Sequence, residues 1–317
     1  MTSEKIKILN TSNWLETLTK KNPTSRSQYA AMYSTWWDGI VTDPNLMLLP
    51  IDDHQVQRGD AVFEAIKVVN GNIYLVKDHL DRLERSAKSI SLINPLNREQ
   101  MLDILDQTLK ASKLTDAILR LFLSRGPGSF SPSPYDTVGA QVYLVVTKLQ
   151  PMSEQKIAQG VSLALSKIPP KEPWLAQIKS CNYLQNVLMK KEAIDLGVDF
   201  TLGVTPEGLI TEGSTENLIL LSKSGELLKP KSTNILLGTT MQRAFELSKS
   251  IKEIKVCHEK DLKLDDLIQA CEVMMVGTTL DVISVTRYEG QPVGDGRPGP
   301  VSNRLRLLLI KDQKKIE

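Results

Sequence analysis

The chain has 317 residues, a formal net charge of +2, 41% hydrophobic residues and 24% charged residues. This composition is typical of a globular protein with about two domains, and its charge balance argues against a nucleic-acid-binding surface. The three cysteines are widely spaced and form no CxxC pair, so neither a disulfide framework nor a metal site is expected. The N-terminus lacks a signal-peptide core and no apolar run could span a bilayer, which predicts a cytoplasmic protein.

The first half of the chain has the pattern of a small α/β domain. Residues 1–30 are polar and weakly patterned and are predicted to form an arm. The stretch "AVFEAIKVV", then Asn70-Gly71, then "NIYLV" predicts a hairpin, because Asn-Gly favours a type I′ turn. A helix capped by Asp78 and a second helix over about Arg98–Lys110 are predicted next.

Two further strands, "AILRLFLS" and "AQVYLVVT", flank a long loop rich in Gly, Pro and Ser. Long loops in compact domains are often functional. The polar, proline-containing segment 148–156 is predicted to be a linker between an N-terminal domain, residues 1–147, and a C-terminal domain, residues 157–317.

The C-terminal region has the pattern of a β-rich domain. Its predicted strands include "GVSLALSKI", "DFTLGV", "LITE", "ENLILLS", "EVMMVG" and "VISVTRY". Helices are expected near residues 183–196 and 240–251, and the charged segment Lys311–Glu317 is predicted to be a solvated tail. The fold class predicted for the whole chain is therefore α+β, in two domains.

Lys179 precedes the first of these two helices. A capping box formed by Asn182 and Gln185 is predicted, and the buried stripe is predicted to consist of Leu184, Val187, Leu188 and Ile194. A lysine held at the helix entrance can be partly desolvated, which lowers its pKa and suits it to attack a carbonyl group. A solvated surface charge is the alternative, and Lys179 by itself does not distinguish the two.

Three further features supply complementary chemistry. Glu212 ends a predicted strand, where its carboxylate could contact a ring nitrogen or could face solvent. Gly238-Thr239-Thr240 begins a helix and can bind a phosphate through free N–H groups and hydroxyls. Gly277-Thr278-Thr279 closes a strand in a similar corner. Each corner alone is an ordinary turn, but with a lysine and a carboxylate they fit pyridoxal phosphate.

Six motifs in order carry a resemblance to a known family. They are "RGDAVFEAI", "HLDRLERSA", "KSCNYLQNVL", "EGSTEN", "LLGTT" and "VGTT". The chain resembles the class IV aminotransferases, the fold-type IV pyridoxal-phosphate enzymes, over nearly all of residues 32–309. This group includes branched-chain and D-amino-acid aminotransferases and aminodeoxychorismate lyases. The resemblance implies a homodimer whose active site lies between the two domains.

The resemblance also implies roles for individual residues. Lys179 would form the Schiff base and carry the proton, while Glu212 would keep the pyridine nitrogen protonated. Tyr183 would bind the ring hydroxyl. The phosphate would be bound by Arg82, Thr239, Thr240 and Thr278. For Arg82, a helix salt bridge to Asp78 is the alternative.

Substrate specificity is less defined. Phe63, Arg120, Arg125 and Thr279 are assigned to the substrate, with Arg125 as the predicted carboxylate-binding residue. The predicted activity is transfer of an amino group between a D-amino acid or a branched-chain amino acid and a 2-keto acid. The alternative is a 4-amino-4-deoxychorismate lyase that releases pyruvate and 4-aminobenzoate.

Overall fold

The computed structural model describes residues 6–20 and 26–315. Over these ranges the strands form two sheets, one of six and one of eight strands, with helices packed against them. The predicted α+β class is confirmed. Residues 1–5 and 21–25 of the predicted arm, and the last two residues of the predicted tail, lie outside the described residues.

The first sheet is antiparallel. Its strands are β1 (Tyr29–Ser34), β2 (Gly39–Val41), β3 (Ala61–Val69), β4 (Asn72–Ile73), β5 (Ala117–Ser124) and β6 (Gln141–Lys148). They pair in the order β2-β1-β6-β5-β3-β4. The predicted hairpin is confirmed as β3 and β4, but its second strand ends at Ile73 and not at Val76, where α3 begins. Asn70 (φ 52°) and Gly71 (φ 81°) both adopt the positive φ that a type I′ turn requires.

Two long helices cover one face of this sheet. The helices of the first half are α1 (Thr11–Lys20), α2 (His54–Arg58), α3 (Val76–Ser89) and α4 (Arg98–Ser112). Leu80 and Leu83 of α3 pack with alternate residues of β3 and β5, because successive strand residues point to opposite faces. Asp78 is not the helix cap, since α3 begins two residues earlier and Leu75 occupies the N-cap with a φ of 53°.

The second sheet is mixed. Its strands are β7 (Val161–Leu165), β8 (Phe200–Leu202), β9 (Asn217–Leu221), β10 (Glu226–Pro230), β11 (Val256–Lys260), β12 (Glu272–Gly277), β13 (Asp281–Tyr288) and β14 (Gln291–Pro292). They pair in the order β11-β10-β9-β12-β13-β7-β8, with β14 on β13. The predicted strand "LITE" is wrong, because Leu209 and Ile210 form only isolated bridges.

Helices flank this second sheet as well. They are α5 (Glu154–Gln159), α6 (Pro173–Ala176), α7 (Leu184–Asp195), α8 (Thr239–Ser248), α9 (Leu264–Ile268) and α10 (Pro300–Gln313). Helices α8 and α10 pack with β12 and β13 in one apolar cluster. The solvated tail predicted from residue 311 is wrong at its start, because α10 continues to Gln313 and buries Asp312 and Gln313.

The apolar stripe predicted to be buried on α7 is exposed. Leu184, Val187 and Ile194 are 67%, 58% and 66% exposed, and the helix buries only Met189 and Ala193. The predicted capping box is also absent: Tyr183 occupies the N-cap and no side chain caps the helix. Sequence periodicity identified an apolar face correctly, but no other part of the described chain covers it.

The two sheets are joined at β3. The backbone of residues 179–181 pairs with this strand: Phe63 N–H donates to Lys179 O over 2.9 Å, and Cys181 N–H donates to Ala61 O over 2.8 Å. A buried ion pair between Lys67 Nζ and Asp281 Oδ1, 2.6 Å apart, links β3 to β13. Lys179 is therefore fixed at the boundary between the two halves.

Candidate active site

A cleft between the two sheets contains every residue that the sequence assigned to the cofactor. They are Arg82, Lys179, Tyr183, Glu212, Thr239, Thr240 and Thr278. These residues come from a helix, two loops, a helix N-terminus and a strand turn, so only the tertiary structure brings them together.

Lys179 presents an amine suited to act as a nucleophile. Its Nζ lies 4.6 Å from the centre of the Phe63 ring and forms no hydrogen bond or ion pair within residues 6–20 and 26–315. Burial, reinforced by the positive charge of Arg82, lowers the pKa of Lys179 to about 8. A substantial fraction of the amine is therefore neutral near physiological pH, which is the form that attacks a carbonyl.

Glu212 has one occupied oxygen and one available oxygen. Its Oε2 accepts hydrogen bonds from Asn217 Nδ2 over 3.0 Å and from Leu236 N–H over 3.1 Å. Its Oε1 has no partner among the residues that the structure describes. Burial raises the pKa of Glu212 to about 8, and a cation placed against Oε1 would favour the ionised carboxylate.

The end of the cleft at Gly238 has the features of an anion-binding site. Helix α8 begins at Thr239 after Gly238, which provides no side-chain cap, so the first N–H groups are available to a ligand. A β-carbon on Gly238 would lie 2.1 Å from Asn217 Oδ1, so this corner requires glycine. Arg82 is buried beside it and donates to Leu237 O over 3.2 Å.

Arg82 does not form the helix salt bridge that was the alternative to phosphate binding. Its guanidinium donates to Glu64 through two hydrogen bonds, Nε to Oε1 at 2.8 Å and Nη2 to Oε2 at 2.6 Å. Asp78 lies on the same helix and forms no ion pair with it among the described residues. The guanidinium therefore has a fixed orientation at the edge of the cleft.

Thr278 lies in the turn between β12 and β13 and faces the cleft, whereas Thr279 is exposed and does not line it. Asp281, which has a φ of 61°, ends this turn. Its carboxylate accepts from Lys67 Nζ and from Gln313 Nε2. These buried contacts fix the turn from two distant elements.

Aromatic rings form the wall beside Lys179. Phe63 packs edge-on against Tyr183, with ring centres 5.3 Å apart, and stacks with Phe122 at 5.9 Å. Burial, together with the nearby Glu212 carboxylate, raises the pKa of Tyr183, so its hydroxyl stays protonated and able to donate. Phe63 is thus adjacent to the amine of Lys179.

The predicted carboxylate-binding role of Arg125 is not retained. Its guanidinium donates to both oxygens of Asp60, at 3.0 and 2.9 Å, and to the carbonyl oxygens of Ile90 and Ser91 at the end of α3. These contacts leave no pair of N–H groups of Arg125 available to bind a substrate carboxylate. Arg120 is exposed on β5 opposite Ala65 of β3, on the same sheet face as Phe63, but it does not line the cleft.

Lys171, Asn186 and Asn217 are among the cleft residues that were not assigned from the sequence. Lys171 Nζ lies 4.9 Å from the centre of the Tyr183 ring, and burial lowers its pKa. Asn186 Nδ2 donates to Ser214 O. Asn217 holds Glu212, and its position in the "EGSTEN" motif was the available signal. Lys171 follows two prolines and has no comparable signal in the sequence.

Comparison with known proteins shows the family of the chain. The family model described as "Amino-transferase class IV" matches residues 61–288. The chain belongs to the class IV aminotransferases. The D-amino-acid transaminase, chloroplastic, of Arabidopsis thaliana is 36% identical over 295 residues, covering 90% of this chain and 77% of the relative. A putative branched-chain-amino-acid aminotransferase of Methanocaldococcus jannaschii is 28% identical and covers 85% and 92% of the two chains.

The class IV aminotransferase also shares its fold with solved structures. A T.th. branched-chain amino acid aminotransferase, solved with pyridoxamine 5'-phosphate, superposes with a TM-score of 0.82 and 24% identity, covering 90% of this chain and 95% of that one. The cofactor of this aminotransferase is pyridoxal phosphate. Its described residues fit that group, because an available amine, a free carboxylate oxygen and an anion-binding helix terminus occupy one cleft. None of the helices in the described ranges is long and apolar enough to cross a membrane.

Proposed function

We propose that this aminotransferase uses Lys179 as both the attachment point of the cofactor and the base that moves the substrate's α-proton. The single observation that carries this proposal is the isolated Nζ of Lys179, which lies beside the Phe63 ring without a hydrogen bond in the described chain. Its lowered pKa supports both roles, since a base near pKa 8 gains and loses protons readily at working pH.

The other cleft residues are proposed to hold the cofactor at its edges. When bound, pyridoxal phosphate supplies an electrophilic carbonyl carbon and an electron sink. Oε1 of Glu212 holds a proton on the ring nitrogen, and the Tyr183 hydroxyl donates to the ring oxygen. Arg82 and the N-terminus of α8 bind the phosphate, and Thr278 contributes a further hydroxyl.

A D-amino acid is proposed as the amino donor and a 2-keto acid as the acceptor, with a branched-chain amino acid as the next candidate. The Arabidopsis relative, named as a D-amino-acid transaminase, supports the first choice. Arg120 replaces Arg125 as the candidate for binding the substrate carboxylate, because it is exposed on the face that carries Phe63 and has no ion pair among the described residues. A cytoplasmic location remains a prediction, since that relative is named as chloroplastic.

A second copy of the chain is proposed as the partner of α7. The exposed apolar residues Leu184, Val187, Leu188 and Ile194 recur on one side of this helix. An apolar helix face that its own chain leaves uncovered is typical of a subunit interface. The dimer therefore accounts for an apolar stripe that the fold of one chain leaves exposed.

The proposed reaction is tested by half-reactions. A competent amino acid should convert the aldehyde form of the cofactor to the amine form, and a 2-keto acid should reverse the change, which absorbance follows directly. The panel includes D- and L-alanine, D- and L-leucine, D-glutamate and aminodeoxychorismate. Pyruvate release from aminodeoxychorismate without formation of the amine form would support the lyase instead.

The role of Lys179 is tested by borohydride reduction and peptide mapping. The label should lie on Lys179, while Lys171, the second lysine in the cleft, should stay unlabelled. Lys179→Ala should lose about three or more orders of magnitude in turnover. Lys171→Ala is the matched control and should keep the chromophore. A label on Lys171 in the wild-type protein would contradict the assignment.

A further inference from the structure

Glu64 lies behind the anion end of the cleft and has no exposure to solvent. Its carboxylate accepts two hydrogen bonds from Arg82 and one from His79 Nδ1, the latter over 2.7 Å. Burial would raise the pKa of Glu64, but the charge and hydrogen bonds of Arg82 lower it to about 2. Glu64 is therefore an ionised acceptor that holds both neighbouring side chains.

His79 continues this chain of contacts to α8. It is 1% exposed, and its Nε2 lies 3.2 Å from Oγ1 of Thr239, the first residue of α8. Because the Glu64 carboxylate can only accept, the Nδ1 of His79 carries the proton that forms this bond. Burial lowers the pKa of His79, despite the opposing effect of Glu64. The Thr239 hydroxyl then donates a hydrogen bond to Nε2 of the neutral ring.

The groups that face His79 are Glu64 on β3, Arg82 on its own helix and the more distant Lys179. The guanidinium of Arg82 and the first turn of α8 are thus both connected to the carboxylate of Glu64. Arg82 is attached to Glu64 directly, and Thr239 is attached through His79. A histidine that served only to fill the core would not need a contact with the first residue of the phosphate-binding helix.

Building on the proposed function, we propose that His79 is a positioning residue for the cofactor phosphate, held by Glu64 and fixing the first turn of α8 through Thr239. The side chain does not touch the phosphate in this scheme. It restrains the helix terminus whose N–H groups do. The restraint matters only for a ligand that carries a phosphate, which separates this role from a general contribution to folding.

Two substitutions at the same position separate the two contacts of the ring. His79→Asn places an amide near the Nδ1 position, so it keeps the hydrogen bond to Glu64 and loses the hydrogen bond to Thr239. His79→Gln places its amide near the Nε2 position and keeps Thr239. Cofactor-stripped full-length protein is titrated with pyridoxal phosphate and with pyridoxal, and Schiff-base absorbance gives the affinity for each.

His79→Asn should weaken pyridoxal phosphate binding by about fivefold or more, while pyridoxal binding changes by less than about twofold. His79→Gln should restore most of the selectivity for the phosphorylated ligand. His54→Asn is the control, because His54 is also buried, with Nδ1 3.3 Å from Asp60, but lies outside the cleft. It should leave the ratio of the two affinities unchanged.

Thr239→Val gives a second measurement that does not depend on the folding of the histidine variants. It should reproduce the selective loss, and combining it with His79→Asn should add little, because coupled residues are not additive. An equal loss for both ligands, or fully additive losses, would overturn the positioning role. If the wild-type chain forms no Schiff base, the proposed function fails as well; if it does and the ratio stays constant in all variants, only the role of His79 fails.

Discussion

Glu212→Gln tests the electron-sink role in a way that separates chemistry from folding. The wild-type Oε2 accepts from Asn217 and Leu236, and Oε1 is available to the ring nitrogen. The carbonyl oxygen of glutamine can accept both existing hydrogen bonds. Its amide then points a donor at the ring nitrogen where the carboxylate presented an acceptor, so the protonated ring is no longer favoured.

The expected magnitude follows from the bond that is lost. A hydrogen bond between a carboxylate and a cation contributes about 1.5–3 kcal/mol. If this contribution is lost from the barrier, kcat should fall by about ten- to a hundredfold, since about 1.36 kcal/mol corresponds to a factor of ten. Stability should change little, because both structural hydrogen bonds remain.

The assay is single-turnover conversion of the aldehyde form to the amine form with a D-amino acid, monitored by absorbance. Glu216→Gln is the matched control. Glu216 is a buried carboxylate in the same turn that accepts from Thr215 N–H over 3.0 Å and does not line the cleft. Glu212→Gln with a rate within about twofold of the parent, about 0.4 kcal/mol of barrier, would refute the reasoning.

The same structure supports three further predictions. The rate at which cofactor-free protein captures pyridoxal phosphate should rise as pH increases through about 8, not 10.5, because only the neutral Lys179 amine attacks; a midpoint near that of free lysine in a pH–rate profile would contradict this. Arg125→Met should lower the free energy of unfolding by about 2–3 kcal/mol in urea denaturation, because the partly buried Asp60 loses its guanidinium partner and keeps only the contact with His54 Nδ1, and should leave the keto-acid KM unchanged. The double variant Leu184→Glu and Val187→Glu should convert a dimer to a monomer in sedimentation experiments, whereas Leu307→Glu, at an exposed leucine on α10, should not.

Local sequence was sufficient for much of the site. Asn70-Gly71 encodes its own turn, and the apolar segment "AILRLFLS" predicted β5 with its observed limits. The Gly-Thr-Thr corner at Gly238 depends on the absence of a side chain, a property of the residue itself. All seven residues assigned to the cofactor by motif lie in one cleft, because each motif carries a short backbone conformation as well as a side chain.

The partners of charged side chains were decided by tertiary structure. Arg82 pairs with Glu64, 18 residues away, and Arg125 pairs with Asp60, 65 residues away. No helical or strand periodicity connects such positions, so a guanidinium on a loop looks the same in sequence whether it binds a substrate or another part of the chain. Two predictions were consistent with the sequence spacing: Arg125 as a free arginine for the substrate, and a salt bridge between Arg82 and Asp78. Neither matches the contacts in the structure.

The α7 face illustrates the same division. Its apolar residues at helical spacing determine that one side of the helix avoids water, and the sequence alone establishes this. The position of α7 relative to the second sheet decides what covers that side. In this position the helix buries only Met189 and Ala193. Hydrophobic periodicity is a property of one helix, whereas burial is a property of everything packed around it, which is why the fold alone decided that this face is left exposed.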